Sequence, residues 1–365
     1  MFERHRPTWV EIHLDNLYHN WRIMNDHISP KMVIPVVKGD AYSHALPPVV
    51  RYFWKKGVGL FATSLLEEAL EAKRAAPDSE VLVMGAVLPE DFDRLAESGI
   101  MFTVSTEELF RKALAHPGPL RIHLKADTGM HRRGFVDEEE IARVAKKAFE
   151  AENIRLEGIY THFATADDDE KYLLGQKAKF ERMLDKLEKR PPMVHASNTS
   201  AIMKYERDIP HTTHARMGIG LYGTSLEEKN CGFNLKETFT LKSKIIEIKE
   251  LKKGDRISYN LTYEAQTDER IAVLPIGYAD GFIRKNQGGQ VVIGNDRYTI
   301  VGRICMDHTF VRVDEHVHVG DTAVLIGGGI HVDEVAERTG TINYEVFCQI
   351  SARVPRIHIG EDGET

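Results

Sequence analysis

The sequence predicts a (β/α)8 TIM barrel followed by a smaller, mostly β C-terminal domain. Two observations carry this. Through the first two thirds of the chain, eight short apolar runs alternate with longer helical patterns. Within roughly 220 residues that is the count and size such a barrel needs. After Asn230 the pattern changes, and strand-like runs follow one another with turns between them instead of long helices. A doubly wound open sheet is the competing arrangement, because counting strands does not show closure. The barrel is assigned to residues 1–235 and the β-rich domain to residues 236–365, with roughly the first ten residues available to pair with the second domain.

The first run, Val33-Ile34-Pro35-Val36-Val37-Lys38, is apolar until its last residue, as a strand buried on both faces must be. A helical stretch from Pro47 to Lys56 follows. Gly59 to Ser64 is the second run, and Leu65 to Ala75 is a helix rich in Ala, Glu and Leu. Glu80 to Gly85 is the third, before a helix from Pro89 to Glu97 that places proline at its start, where the missing N–H costs nothing. Met101 to Ser105 is the fourth, with Thr106-Glu107-Glu108 opening the next helix. Arg121 to Lys125 is the fifth, followed by a helix from Glu138 to Glu152. Leu156 to His162 is the sixth, before a long amphipathic helix from Glu170 to Lys189. Met193 to Ser197 and Ala215 to Met217 complete the eight.

In the second domain the runs are Ile245 to Ile248, Ile271 to Ile276, Val291 to Ile293, Thr309 to Val313 and Ala323 to Ile326. Gly254-Asp255, Gly294-Asn295-Asp296 and Gly327-Gly328-Gly329 supply turn chemistry between them. The triple glycine lacks the strand-to-helix setting of a phosphate loop and reads as a turn.

A net charge of −7 without a long basic block argues against a nucleic-acid partner and against docking on anionic lipid. The three cysteines, Cys231, Cys305 and Cys348, lie far apart with no CxxC spacing, which fits a reducing compartment. The segment Met1 to Trp9 has no apolar signal core, and no run reaches the length of a membrane span, about 18 apolar residues. A cytoplasmic enzyme with no membrane partner is expected. His211 and His214 have HxxH spacing but no third ligand nearby, so no metal is expected.

Active sites of such barrels lie at the C-terminal ends of the strands. Here those ends carry Lys38, Lys125 with Arg132 beyond it, His162, Asn198-Thr199, and Arg216 followed by Gly218 and Ile219. Taken singly, a lysine after an apolar strand is usually a solvated cap, and a lone histidine is usually a hydrogen-bonded rim residue. Jointly, cations gathered at one mouth need an anion to pair with, since without one they repel one another. Gly218 and Ile219 can offer backbone N–H groups to a phosphate, and Thr199 a hydroxyl.

Val36-Val37-Lys38-Gly39-Asp40-Ala41-Tyr42 resembles the cofactor-lysine segment of alanine racemases. Lys125-Ala126-Asp127-Thr128-Gly129-Met130-His131-Arg132, Ser258-Tyr259, Ile276-Gly277-Tyr278-Ala279-Asp280-Gly281, Gly302-Arg303-Ile304-Cys305-Met306-Asp307 and Arg353-Val354-Pro355-Arg356 look like that family's motifs in its order. The likeness runs from Thr8 to Ile357, through both domains.

The resemblance implies an enzyme of fold type III that uses pyridoxal 5'-phosphate to interconvert L- and D-alanine by a two-base mechanism, supplying D-alanine for cell-wall synthesis. It implies a homodimer with shared active sites and a small amino-acid substrate. Lys38 would hold the cofactor covalently and act as one base; Tyr259, from the other subunit, would be the second. Arg216 would face the pyridine nitrogen, and His162 would bond Arg216 and Tyr259. Arg132 would contact the cofactor and the substrate carboxylate, which the Met306 backbone would also hold. Tyr42, Asn198, Thr199, Gly218 and Ile219 would bind the cofactor, most of them at its phosphate. Tyr278 would narrow the entrance, and Lys125 matches a lysine the family often carries as a carbamate.

Gly39, Ser43 and Thr199 differ from the family's commoner residues. Ala352 stands where the family usually has a tyrosine that walls the substrate pocket. Two related enzymes therefore stay open: a racemase with broadened or serine preference, with Ala352 supplying room, and an amino-acid decarboxylase of the same fold type. Arg216 argues against the decarboxylase, because a carboxylate partner would better stabilise a protonated pyridine. A non-catalytic, cofactor-carrying barrel would leave Tyr259 and Met306 without a role.

Overall fold

The computed structural model describes residues 6–206, 209, 211–226 and 231–360. Asn230, where the sequence pattern changes, and the first five residues lie outside the described residues. The chain packs as two compact units. One comprises residues 18–41 and 46–235; the other joins the N-terminal residues through Leu17, the short insert Tyr42–Ala45 and the chain from Lys236 onward.

In chain order, β1 (Thr8–His13) precedes the eight strands of the first unit: β2 (Met32–Pro35), β3 (Leu60–Thr63), β4 (Glu80–Val83), β5 (Met101–Val104), β6 (Leu120–Lys125), β7 (Ile154–Tyr160), β8 (Met193–His195) and β9 (His214–Met217). Their order is β2-β9-β8-β7-β6-β5-β4-β3, and the neighbouring strands pair in parallel. A bridge between Val36 and Ala62, with the Val37 N–H donating to the Ala62 carbonyl at 2.8 Å, joins β2 to β3. Both ends of the order are thus tied, and the open-sheet alternative, which needs two free edges, is set aside. Every residue of β5 is buried, as a strand covered on both faces requires.

The helices that coat the barrel are specified locally. In Glu138–Glu150, the Asp137 carboxylate accepts from the Glu140 N–H at 2.7 Å, and three glutamates in the first turn complement the helix dipole. Its buried face is Ile141, Val144, Ala145 and Ala148, spaced i, i+3, i+4, i+7. Helix Glu170–Asp185 starts the same way, with Asp169 accepting from the Tyr172 N–H at 2.9 Å. It ends a few residues earlier than the sequence pattern suggested, at Asp185, ahead of the stretch that runs into Pro191 and Pro192.

The second unit is built on a nine-stranded sheet in the order β11-β14-β17-β16-β15-β18-β10-β1-β19. Its strands are β10 (Phe239–Lys244), β11 (Glu247–Leu251), β14 (Glu269–Leu274), β15 (Gln290–Ile293), β16 (Asp296–Val301), β17 (Thr309–Val313), β18 (Thr322–Ile326) and β19 (Arg356–Ile359), with the small pair β12 (Arg256–Ile257) and β13 (Tyr263–Glu264) beside it. β1 lies antiparallel to β10 and parallel to β19. Ile293 pairs with Asp296, so Gly294-Asn295 is a two-residue hairpin turn with Gly294 at φ +62. Two short helices, Val332–Thr339 and Asn343–Gln349, precede β19.

Candidate active site

The apolar run before Lys38 ends as regular strand at Pro35, earlier than the sequence suggested, and Lys38 opens a helical turn, Lys38–Ser43. That turn is left-handed: φ is +64 at Gly39, +53 at Asp40, +53 at Ala41, +52 at Tyr42 and +67 at Ser43. Left-handed helix costs an L-residue about 1–2 kcal/mol, because Cβ crowds the following carbonyl oxygen. Four consecutive non-glycine residues therefore need anchoring from outside the turn. In the first unit the Gly39 N–H donates to Glu68 at 2.6 Å, and the Asp40 carboxylate accepts from the Leu46 N–H at 2.7 Å. In the second, the Ser43 hydroxyl donates to the Ile350 carbonyl at 2.8 Å and Arg356 donates to the Ser43 carbonyl at 2.9 Å. The turn leaves Lys38 exposed.

Arg216, on β9, is the centre of the barrel's polar core. It is buried, and its guanidinium donates to His195 Nδ1 at 2.6 Å, to the carbonyls of Thr161 and Ala196 at 2.7 Å each, and to His162 Nδ1 at 3.2 Å. All four acceptors are neutral groups. The Tyr160 ring lies 5.1 Å from the guanidinium carbon and 5.7 Å from Lys125 Nζ, and stacks on His195. Burial brings the Arg216 pKa down to about 10.

Lys125, at the end of β6, is brought down to about 8, first by burial and then by Arg132, Arg216 and Arg133. His162 is held well below the usual histidine range by burial and by Arg216, Arg132, Lys125 and Lys38, so it is neutral. Those mutual influences place Lys38, Lys125, Arg132, His162 and Arg216 in one electrostatic neighbourhood. The loop carrying Arg132 is shaped by Asp127, whose carboxylate accepts from the N–H groups of Gly129 at 3.0 Å and His131 at 2.9 Å. Gln176 fixes the segment beside His162, donating to the His162 carbonyl at 3.1 Å and accepting from the Ala164 N–H at 2.8 Å.

Asn198 caps the helix Thr199–Lys204, its side chain accepting from the Ala201 N–H at 3.1 Å. Thr199 Oγ1 accepts from the Gly220 N–H at 3.2 Å, and a Cβ on Gly220 would meet Thr199 Cγ2 at 2.7 Å, so only glycine allows this approach. Gly218 and Ile219 open the short 3-10 turn Ile219–Tyr222, whose first N–H groups have no partner within the turn. Ser197 Oγ, one residue before Asn198, is buried and finds no partner among the described residues.

This donor set fits pyridoxal 5'-phosphate. It supplies an exposed lysine for a carbonyl; for the ring, an arginine whose four hydrogen-bond acceptors among the described residues are neutral; and hydroxyl and backbone donors for a phosphate.

In the second unit, Tyr259, Tyr278 and Met306 come together on one surface. Tyr259 is 67% exposed and sits between residues of positive φ, Ser258 at +69 and Asn260 at +60. Its loop is held to the 303–306 segment by the Ser258 hydroxyl, which donates to the Arg303 carbonyl at 2.5 Å. The Tyr278 and Ala279 N–H groups donate to the carbonyls of Cys305 at 3.0 Å and Met306 at 3.1 Å. Tyr278 and Met306 are 41% and 53% exposed.

Sequence reasoning passed over His195, His123 and Glu68. His195 and His123 lie on strands read as apolar; a histidine in such a run was the available signal. Glu68 carried no signal beyond a favourable helix residue.

The fold and this set of groups define a (β/α)8 enzyme built to hold a phosphate-bearing aromatic cofactor on a lysine. Residues 12–226 match the family profile "Alanine racemase, N-terminal domain" and residues 238–358 match "Alanine racemase, C-terminal domain". An alanine racemase of Geobacillus kaustophilus is 41% identical over 98% of this chain and 96% of its own length. The crystal structure of alanine racemase from E. faecalis superposes with a TM-score of 0.93 at 33% identity, covering 98% of this chain and 99% of that one. A histidine racemase from Leuconostoc mesenteroides superposes with a TM-score of 0.91 at 28% identity, covering 98% and 99%. The chain belongs to the alanine racemase family and is a pyridoxal-phosphate-dependent racemase of fold type III.

Proposed function

We propose that the protein interconverts L- and D-alanine in the cytoplasm as a homodimer, with Lys38 and Tyr259 of the partner subunit as the two bases. The observation that carries this reading is the left-handed turn that leaves Lys38 exposed, with its charge felt at His162 together with those of Arg216, Arg132 and Lys125. When bound, the cofactor withdraws electron density from the substrate Cα and so acidifies its C–H.

The protein's own groups do the rest. The Lys38 amine takes or returns the Cα proton on one face, and the Tyr259 phenol does so on the other. Arg216 presents N–H to the cofactor's ring nitrogen and keeps its own protons, since even at about 10 its pKa lies well above neutrality. Arg132 pairs the substrate carboxylate, which the Met306 backbone helps to hold. Lys125 positions Arg132, and Tyr278 narrows the entrance. Thr199, Gly218 and Ile219 hold the phosphate, and Asn198 helps to hold the cofactor. Tyr42 is buried and its phenol is pushed far above the usual range, so it stays protonated and serves as a phosphate donor.

The shared site is supported by the large exposure of Tyr259, Tyr278 and Met306, an aromatic and apolar patch of the kind a partner covers. The absence of disulfides among the three cysteines accords with a reducing compartment. The test is a chiral assay over the standard amino acids, with borohydride reduction and peptide mapping of the bound cofactor. Racemisation of alanine with the cofactor trapped on Lys38 is the expected result. Decarboxylation products, or label on another lysine, would overturn the reading.

A further inference from the structure

Glu68 lies in the first turn of the helix Leu66–Ala75, and its carboxylate holds three backbone N–H groups. Oε2 accepts from Ser64 at 3.0 Å and Leu65 at 3.1 Å; Oε1 accepts from Gly39 at 2.6 Å. The first two bonds are ordinary, because an acidic side chain in the first turn satisfies donors that a helix start leaves open. The third has no part in the helix. It reaches the peptide that directly follows Lys38, where the left-handed turn begins.

We propose that Glu68 is a positioning residue for Lys38: its carboxylate fixes the Lys38–Gly39 peptide and so the direction in which the ε-amine leaves the barrel wall. The proposal rests on the reading of Lys38 as the cofactor lysine. Glycine adopts positive and negative φ about equally readily, so Gly39 does not itself choose the hand of the turn. The choice at that residue must come from outside. The bond from the Ala41 N–H to the Val37 carbonyl, 2.9 Å, ties the ends of the segment but not the peptide between them. Asp40 acts on Leu46, at the far side of the turn. Of these three contacts, only that of Glu68 grips the Lys38–Gly39 peptide, and it does so with a charge-assisted bond.

Three variants separate positioning from simple helix capping. Glu68→Gln keeps the side-chain length and loses the charge and one acceptor oxygen. Glu68→Asp keeps an acidic group in the helix's first turn but is too short to span to Gly39. Asp137→Ala removes the cap of the distant helix Glu138–Glu150 and serves as the control. Apoprotein melting temperature, pyridoxal-phosphate affinity followed by visible absorbance, and the time course of borohydride trapping are measured for each. Both Glu68 variants are expected to bind the cofactor about tenfold more weakly, the equivalent of one charge-assisted hydrogen bond, and to be trapped more slowly. Asp137→Ala is expected to lower only the melting temperature. If Glu68→Gln does not fold, Glu68→Asp carries the comparison. Glu68 variants that melt earlier yet match the unaltered protein in affinity and trapping rate would show that Glu68 only caps its helix, and the proposal would fall. Label on a lysine other than Lys38 in the unaltered protein would instead remove the reading on which it rests.

Discussion

The Arg216 guanidinium donates to His195 Nδ1 across 2.6 Å, and that contact orders the protons of a buried histidine pair. With Nδ1 accepting, the neutral His195 carries its proton on Nε2, which donates to His123 Nδ1 at 3.1 Å. The remaining proton of His123 then sits on Nε2, which finds no partner among the described residues. Both side chains are fully buried. Burial and the nearby cations hold His195 well below the usual histidine range and bring His123 down to about 3. Arg216 therefore keeps its positive charge beside histidines that stay neutral well into the acidic range.

An acid-labile barrel follows. In the unfolded chain these histidines take up protons near pH 6.5, whereas the folded His123 does so only near 3. Between those values the unfolded state binds more protons, so stability is present in full above about pH 6.5 and falls as pH drops through the window. Each histidine that stays neutral in the fold contributes a slope of about 1.4 kcal/mol per pH unit. Urea unfolding of the apoprotein between pH 7 and 5, above the range where most carboxylates titrate, should show that slope. It should be shallower in His123→Asn. An unchanged slope in the variant would mean that the pair titrates in the folded state.

Lys125 is expected to be carbamylated. With its pKa near 8, on the order of a tenth of the side chain is neutral amine at neutral pH, and that form adds carbon dioxide with loss of a proton. The product is an anion placed where Arg132, Arg133 and Arg216 now oppose a cation. Repulsion thereby becomes attraction, and Arg132 gains a fixed partner. Carbon-13 NMR of protein equilibrated with labelled bicarbonate should show one slowly exchanging carbamate signal that disappears in Lys125→Ala. No signal at saturating bicarbonate would rule the modification out.

Tyr259→Phe should cut racemisation severely while leaving the visible absorbance of the bound cofactor in place. The substitution removes only the phenolic hydroxyl proposed as the second base and keeps the ring that the partner would cover. Mixing Lys38→Ala with Tyr259→Phe subunits should restore partial activity, since a hybrid dimer rebuilds one intact site. Hybrids that form without recovering activity would refute a site shared between subunits.

The barrel and its mouth were legible in the sequence because their signals are local. Apolar runs mark β2 through β9, and cations stand at or just beyond the ends of β2, β6 and β9. The pairing of the N-terminal residues with the second domain was expected and appears as β1; β16, Asp296–Val301, escaped because its first residues are exposed and only Ile300 and Val301 are buried, which leaves little apolar signal. The insert Tyr42–Ala45, which belongs with the second unit, was also illegible. Its left-handed φ values fall on Tyr42, Ser43 and Ala45, residue types that give no warning of that conformation. Contacts distant in sequence impose it, those of Ser43 with Ile350 and Arg356 among them. Arg216 with His195 is a similar case: the arginine was visible at a strand end, and its main partner was hidden in a run read as hydrophobic.

Ala352 should loosen substrate choice. It is exposed in a turn where the Val354 N–H donates to the Ser351 carbonyl at 3.1 Å, and Arg356 holds the carbonyls of Ser351 at 2.6 Å and Val354 at 2.5 Å. Backbone contacts set that turn, so Ala352→Tyr changes the side chain without disturbing its support. Relative to the tyrosine that the family resemblance puts at this position, a methyl lacks a ring and one hydroxyl donor. The lost hydrogen bond is worth on the order of 1 kcal/mol and should weaken cofactor binding only modestly. Space matters more, because an apolar wall separates substrates that differ by one small group by only about 1–3 kcal/mol. Opening it should bring serine within about a hundredfold of alanine in kcat/KM, and Ala352→Tyr should widen that gap. The measurement is the alanine-to-serine ratio of kcat/KM in the two proteins, with cofactor content checked in each. A ratio that does not move in a fully loaded Ala352→Tyr enzyme would mean that specificity is set by other residues.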